Sequence, residues 1–192
     1  MRWLLVRHGE SVANAEGWLA GHRDVPLTAR GESQSRLLRA VLEETGYTRV
    51  FASDLQRAWR TAELAGAREI TRVPGLRERH LGEWEGLPRH AVSMDLLLSW
   101  SLGPPGGESQ QALAERVLTA LAEIEPVCDG TTIVVAHGGV LRVLDGLHHR
   151  KARGILGTTR FDNTQVLDLD LPAGRWAELA RDLAEDGTGP EP

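Results

Sequence analysis

The first fourteen residues, MRWLLVRHGESVAN (1–14), set a short apolar run, Trp3 to Val6, directly against a cation, an imidazole, a glycine and a carboxylate. An apolar run of this length with no polar alternation is the mark of a strand covered on both faces. A second stretch repeats the arrangement: TTIVVAHGG (131–139) is β-branched and apolar, and it ends in His137 and two glycines. Read together, the two stretches predict a sheet buried by helices, with a histidine at the end of each of two strands.

The rest of the chain alternates in the same sense. Thr28 can cap a helix through Leu37, Leu38, Val41 and Leu42, which Gly46 stops. TRVFASD (48–54) reads as a short strand running into a Ser53 or Asp54 cap, and LQRAWRTAELAG (55–66) as the helix that follows. REITRVP (68–74) is a weaker strand, and residues 76–88 are polar and glycine-punctuated, a loop. Arg89 to Trp100 looks helical until SLGPPGGES (101–109) breaks it. Leu113, Val117, Leu121 and Ile124 line one face of a long helix, and Val140 to Leu147 is another. TQVLDLDL (164–171) alternates as a strand, and RWAELAR (175–181) reads either as a last strand or as a helical turn. The order implies an α/β fold, a three-layer α/β/α sandwich on a mostly parallel, mixed sheet of about six strands. A single domain over 1–184 is expected, with 79–108 as a small cap insertion and 185–192 as a disordered tail.

Composition limits the function classes. The 192 residues are 41% hydrophobic and 26% charged, with a net charge of -5 that gives no footprint for nucleic acid. Cys128 is the only cysteine, which excludes an internal disulfide and argues against a cysteine-based metal site. The apolar run at the amino end is interrupted by Arg2 and Arg7 and is too short for a signal segment or a membrane span. A cytoplasmic protein with no membrane partner is the expectation.

In open α/β sheets, ligands bind beyond the carboxyl ends of the strands. His8 and His137 both fall there, each followed by a glycine that permits a sharp turn or the close approach of a ligand. Arg57 lies in the first turn of the helix after the second strand, and its side chain leans back towards the same edge. On spacing alone, a solvated surface arginine is the better reading.

LLVRHGES with Asn14, then SDLQRAWRTAE, LRERHLGEWEG, GGES and AHGGV, in that order, resemble the histidine phosphatase superfamily, whose members are similar to cofactor-dependent phosphoglycerate mutase. The resemblance runs from the first strand to about Asn163. It implies that His8 is the nucleophile, transiently phosphorylated on a ring nitrogen. Arg7 and Arg57 would clamp the phosphoryl oxygens, with His137 and Gly138 completing the pocket. Glu78 matches the proton donor, and Ser11, Asn14 and Gly21 fall where the family lines the phosphate and leaving-group pocket. Neither metal nor cofactor is implied.

The residue types suit that chemistry. Charge spreads over the phosphoryl oxygens in the transition state, and arginine binds two oxygens at once while staying charged. Neighbouring cations favour an unprotonated His8. Glu83 and Glu85 share a loop with Glu78, and spacing cannot separate the three; the family pattern favours Glu78. Trp84 and Trp100 read as packing residues; His22, His80 and His90 could line the site entrance, although ordinary exposed histidines are commoner. His148 and His149 read as a surface pair rather than metal ligands.

The resemblance leaves hydrolysis and mutation open, because both proceed through phosphohistidine. The classical mutases carry an arginine pair in a polar insertion after the acid loop. Here AVSMDLLLSWSLGPPGGES (91–109) holds no arginine and is rich in leucine. A metal-independent phosphatase acting on a small phosphomonoester is therefore favoured over a mutase, and both over a silent phospho-ligand-binding protein. Relatives often form dimers, which leaves a homodimer open.

Overall fold

The computed structural model describes residues 1–149 and 159–186. Five strands, β1 (Arg2–Arg7), β2 (Arg49–Ala52), β3 (Ile70–Arg72), β4 (Thr131–Ala136) and β5 (Val166–Asp170), form one sheet in the order β3-β2-β4-β1-β5. The first four are mutually parallel, and β5 runs antiparallel to β1 on the edge. The helices are α1 (Val12–Glu16), α2 (Ala29–Thr45), α3 (Gln56–Leu64), α4 (Met94–Leu98), α5 (Gln110–Ile124), α6 (Gly138–His148) and α7 (Arg175–Asp186).

Alternate residues of β1 and β4 feed two separate cores, as the pleat requires. Trp3, Leu5, Val134 and Ala136 pack under α5, α6 and α7. Leu4, Val6, Ile133 and Val135 pack under α2 and α3. This is the three-layer sandwich, and it explains why both strands read as unbroken apolar runs. No helix among the described residues is long and apolar enough to cross a membrane.

Several local expectations change. RWAELAR belongs to α7: Trp176, Leu179 and Leu183 recur at helical spacing, all buried, and Trp176 meets Trp3 edge-on at 5.5 Å. Without a strand there, the described sheet has five members rather than about six. Neither Ser53 nor Asp54 caps α3. Asp54 is engaged by Arg77 through two hydrogen bonds, and Asp24 reaches across from an earlier loop to accept from Gln56 N–H at 2.7 Å. The loop after β1 contains α1, capped by Ser11 and Asn14 together. Arg89 to Trp100 is a 3-10 turn (Arg89–Ala91) and the short α4, because Val92 is extended and Ser93 starts a new cap. Of the tail expected from 185, residues 185–186 close α7, and 187–192 lie outside the described residues.

Candidate active site

Parallel pairing sets Arg7 of β1 opposite Ala136 of β4, so His8 and His137 leave the sheet side by side. His8 N–H donates to the Ala136 carbonyl at 3.0 Å, and the two imidazole centroids are 5.1 Å apart. His8 Nδ1 lies 2.6 Å from the Gly9 carbonyl. A carbonyl only accepts, so Nδ1 holds the proton and Nε2 the lone pair. Burial, then Arg57 and Arg7, push the His8 imidazole well below its ordinary value, against the opposing Gly9 hydrogen bond. His137 is fully buried, and neither of its ring nitrogens has a hydrogen-bond partner. Burial, Arg57, His8, Arg116 and Arg7 hold it neutral too.

The glycine of RHGE serves packing rather than a turn or a ligand. A Cβ on Gly9 would stand 2.5 Å from the Gly31 carbonyl, where α2 crosses close behind the strand end. Gly9 N–H donates to Thr61 Oγ1 at 3.0 Å, tying the His8 backbone to α3.

Arg57 is the second residue of α3 and is 2% exposed. Its guanidinium donates to the Arg23 and Gly21 carbonyls at 2.9 and 2.8 Å. Gly21 therefore lines the cleft and also aims Arg57; its φ of +50° and the nearby Glu85 Oε1 leave no room for a Cβ. Arg7 donates to the Phe161 carbonyl through Nη1, while its buried Nε has no partner. Ser11 and Asn14 line the cleft while capping each other across α1, and Asn163 Nδ2 links Asn14 Oδ1 to the His8 carbonyl.

Glu78 lines the same cleft. Its Oε1 accepts from Arg79 N–H at 2.8 Å and its Oε2 from Gly139 N–H, the second residue of α6, at 3.0 Å. Burial pushes its carboxyl upward, but Arg142, the two backbone donors and Arg57 outweigh that and hold it below the usual carboxylate range. Structure separates the three glutamates that spacing could not. Glu85 accepts from His22 N–H and Leu81 N–H, Glu83 is exposed, and only Glu78 lines the cleft.

The cleft has a volume of about 260 Å³, small for a ligand pocket. Leu97 and Leu98 of α4 form part of its wall, while Trp100 is buried in the main core. Gly138 also lines it, a Cβ there falling 3.4 Å from Arg7 Nε and from Arg142 Nη1. Sequence reasoning missed Arg79, Arg89 and Arg142, all on the cleft wall. Arg142 was findable: it sits in the opening turns of the helix after His137, the placement that singled out Arg57. Burial draws the Arg79 guanidinium down to about 10, and its Nη1 is buried without a partner.

A buried neutral imidazole with a free Nε2, a cluster of guanidinium groups and one glutamate carboxyl thus share the cleft, a set of groups suited to binding a phosphoryl group. The family model of the histidine phosphatase superfamily, branch 1, matches residues 3–182, and the chain belongs to that superfamily. The adenosylcobalamin/α-ribazole phosphatase of Salmonella typhimurium is 34% identical over 158 residues, 75% of this chain and 77% of that one. Phosphoglycerate mutase-like protein 4 of Arabidopsis thaliana is 38% identical over 156 residues, 73% of this chain and 68% of that one. The solved mycobacterial glucosyl-3-phosphoglycerate phosphatase in complex with VO3 matches with a TM-score of 0.78 at 28% identity, over 88% of this chain and 92% of that one. Within the superfamily the chain is a phosphatase.

Proposed function

We propose that the protein hydrolyses a small phosphomonoester, without a metal, by double displacement through a phosphohistidine on His8. The observation that carries this reading is the His8 ring: Nδ1 is bound to the Gly9 carbonyl, Nε2 keeps its lone pair, and burial beside Arg57 and Arg7 keeps the ring unprotonated. Arg7 and Arg57 hold the non-bridging oxygens, placing fixed charge where the transition state needs it, and the neutral His137 offers them a ring N–H. Nε2 attacks phosphorus, the bond to the ester oxygen breaks, and Glu78 protonates the departing alcohol. Water then attacks phosphorus, the phosphorus–nitrogen bond breaks, and the Glu78 carboxylate takes the water's proton.

Glu78 rests ionised in the free cleft, so its first proton arrives with the substrate. An ester bound as its monoanion brings that proton, and an anion seated on Arg57 cancels one of the charges that hold Glu78 ionised.

Arg79, Arg89 and Arg142 also line the cleft, and among the described residues Glu78 is the only carboxylate on its wall. A leaving group that itself bears an anion, such as a carboxylate, therefore fits better than a neutral one. Segment 91–109 contributes no arginine, but the cleft draws its cations from other elements. Those same cations suit a second reading, in which the phosphatase also returns the phosphoryl group to such a substrate as a mutase does.

The test is phosphate release from esters with and without a carboxylate, in EDTA, with His8→Ala as control, beside a coupled mutase assay on 3-phosphoglycerate primed with the bisphosphate. Release that survives EDTA, vanishes with His8 and favours carboxylated esters is the expected result. Mutase turnover beside release would establish the second reading, little release from any ester would overturn the hydrolytic one, and turnover surviving in His8→Ala would remove both.

A further inference from the structure

The motif GGES and the arginine eight residues after its glutamate contribute nothing to the phosphoryl clamp, yet they form a densely bonded polar cluster next to Glu78. Arg116, on α5, donates from Nε and Nη2 to both carboxylate oxygens of Glu108, at 2.8 and 2.7 Å. Its Nη1 donates to the Gly75 and Arg77 carbonyls, each at 3.0 Å, and Nη2 also donates to the Glu78 carbonyl at 3.2 Å. Glu108 Oε2 in turn accepts from His80 N–H at 2.9 Å, and His22 Nε2 donates to the Glu78 carbonyl at 2.7 Å. The backbone is thus held on both sides of Glu78, from residue 75 to residue 80. The fit is close: a Cβ on Gly107, next to Glu108, would stand 2.6 Å from the His80 carbonyl.

We infer that the Arg116–Glu108 pair is a positioning device for the general acid, setting the height at which the Glu78 carboxyl meets the leaving oxygen. The inference rests on the reading of Glu78 as that acid. Glu78 enters the cleft from a loop with no regular ladder of its own, between the 3-10 turns Pro74–Leu76 and Gly82–Trp84, so its placement depends on whatever grips that loop. Bidentate pairing fixes the guanidinium plane, and the plane fixes three carbonyls at once. An error of about 1 Å in such a group is enough to cost roughly 100-fold.

The test is kcat/KM, which reports the phosphorylation of His8, for p-nitrophenyl phosphate and for an alkyl phosphate, in wild type, Glu78→Gln, Arg116→Lys and Glu108→Gln. A p-nitrophenolate leaves with little help from an acid, whereas an alkoxide needs the proton. Arg116→Lys keeps the charge and loses the fork. The expected result is a fall of about 10- to 100-fold on the alkyl ester and of three-fold or less on the aryl ester, the pattern of Glu78→Gln in weaker form. Glu108→Gln should show the same split, and it carries the test if Arg116→Lys does not fold. Equal losses on both esters in the folded variant, or no loss on either, would overturn the positioning role while Glu78→Gln still split the pair. If Glu78→Gln itself showed no split, the acid assignment would fall, and this inference with it.

Discussion

Gly139 and Gly9 show how two glycines in similar motifs serve different ends. A Cβ on Gly139 would overlap Glu78 Oε1, the free end of a side chain that can swing away. A Cβ on Gly9 would press on the Gly31 carbonyl, which is backbone and cannot. The two alanine variants should therefore fail in opposite ways. Gly139→Ala should melt within a few degrees of wild type while losing one to two orders of magnitude in kcat/KM on an alkyl phosphate, because Glu78, the proposed acid, is displaced. Gly9→Ala should cost about 1–3 kcal/mol in urea unfolding, because α2 must shift. Thermal melting and steady-state kinetics on both proteins check the pair, and a stable, fully active Gly139→Ala would show that Glu78 does not need this approach. Nothing in the spelling RHGE or AHGG distinguishes the two, since the contact that decides each comes from a distant segment.

At the scale of elements, periodicity was a good guide wherever a segment met one core. β1 and β4 read correctly because both faces are apolar, and α2 and α5 because one stripe is. It failed where the stabilising partner lies elsewhere in the chain. RWAELAR is too short to show its period until Leu183 is added, and α3 takes its cap from Asp24, thirty-two residues before Gln56. That cap has a functional consequence, since Arg57 follows Gln56 and its guanidinium is held by the carbonyls of Gly21 and Arg23, in the same loop as Asp24. Asp24→Ala should therefore lower stability by about 1 kcal/mol and also weaken inorganic phosphate binding. Denaturant unfolding and titration calorimetry read the two effects. A stability loss with unchanged phosphate affinity would mean that the loop aims Arg57 without its tie to α3. The placing of His8, His137 and Arg57 at the carboxyl edge of the sheet was legible because strand ends are. Arg79 and Arg89 were not, because they reach the cleft from a loop and a 3-10 turn that carry no period.

On the scale of the whole molecule, the site sets a pH limit on the fold. His8 and His137 are buried against Arg57 and Arg7, and both are held neutral well below the ordinary histidine value of 6.5. His22 and His148 are lowered as well, chiefly by burial, but both are partly exposed and contribute less. Above about pH 6.5 neither the folded nor the unfolded chain protonates these rings, so the stability they allow is present in full. As the pH falls below that value the unfolded chain takes up protons that the folded chain refuses. Stability is then lost at up to about 1.4 kcal/mol per pH unit for each buried ring, until the folded rings titrate. The carboxylates held low by partners, Glu78, Glu108, Asp54 and Asp168, act in a separate window that opens only near their ordinary values of 4.5 and 3.8. Urea unfolding should therefore weaken steadily from pH 6.5 to 5, before those carboxylates matter, and His8→Asn should remove about half of the slope due to the buried pair. If the wild-type curve stayed flat over that interval and bent only below pH 4.5, the two histidines would be charged in the folded protein. An imidazolium at His8 cannot attack phosphorus, so the same measurement bears on the catalytic reading.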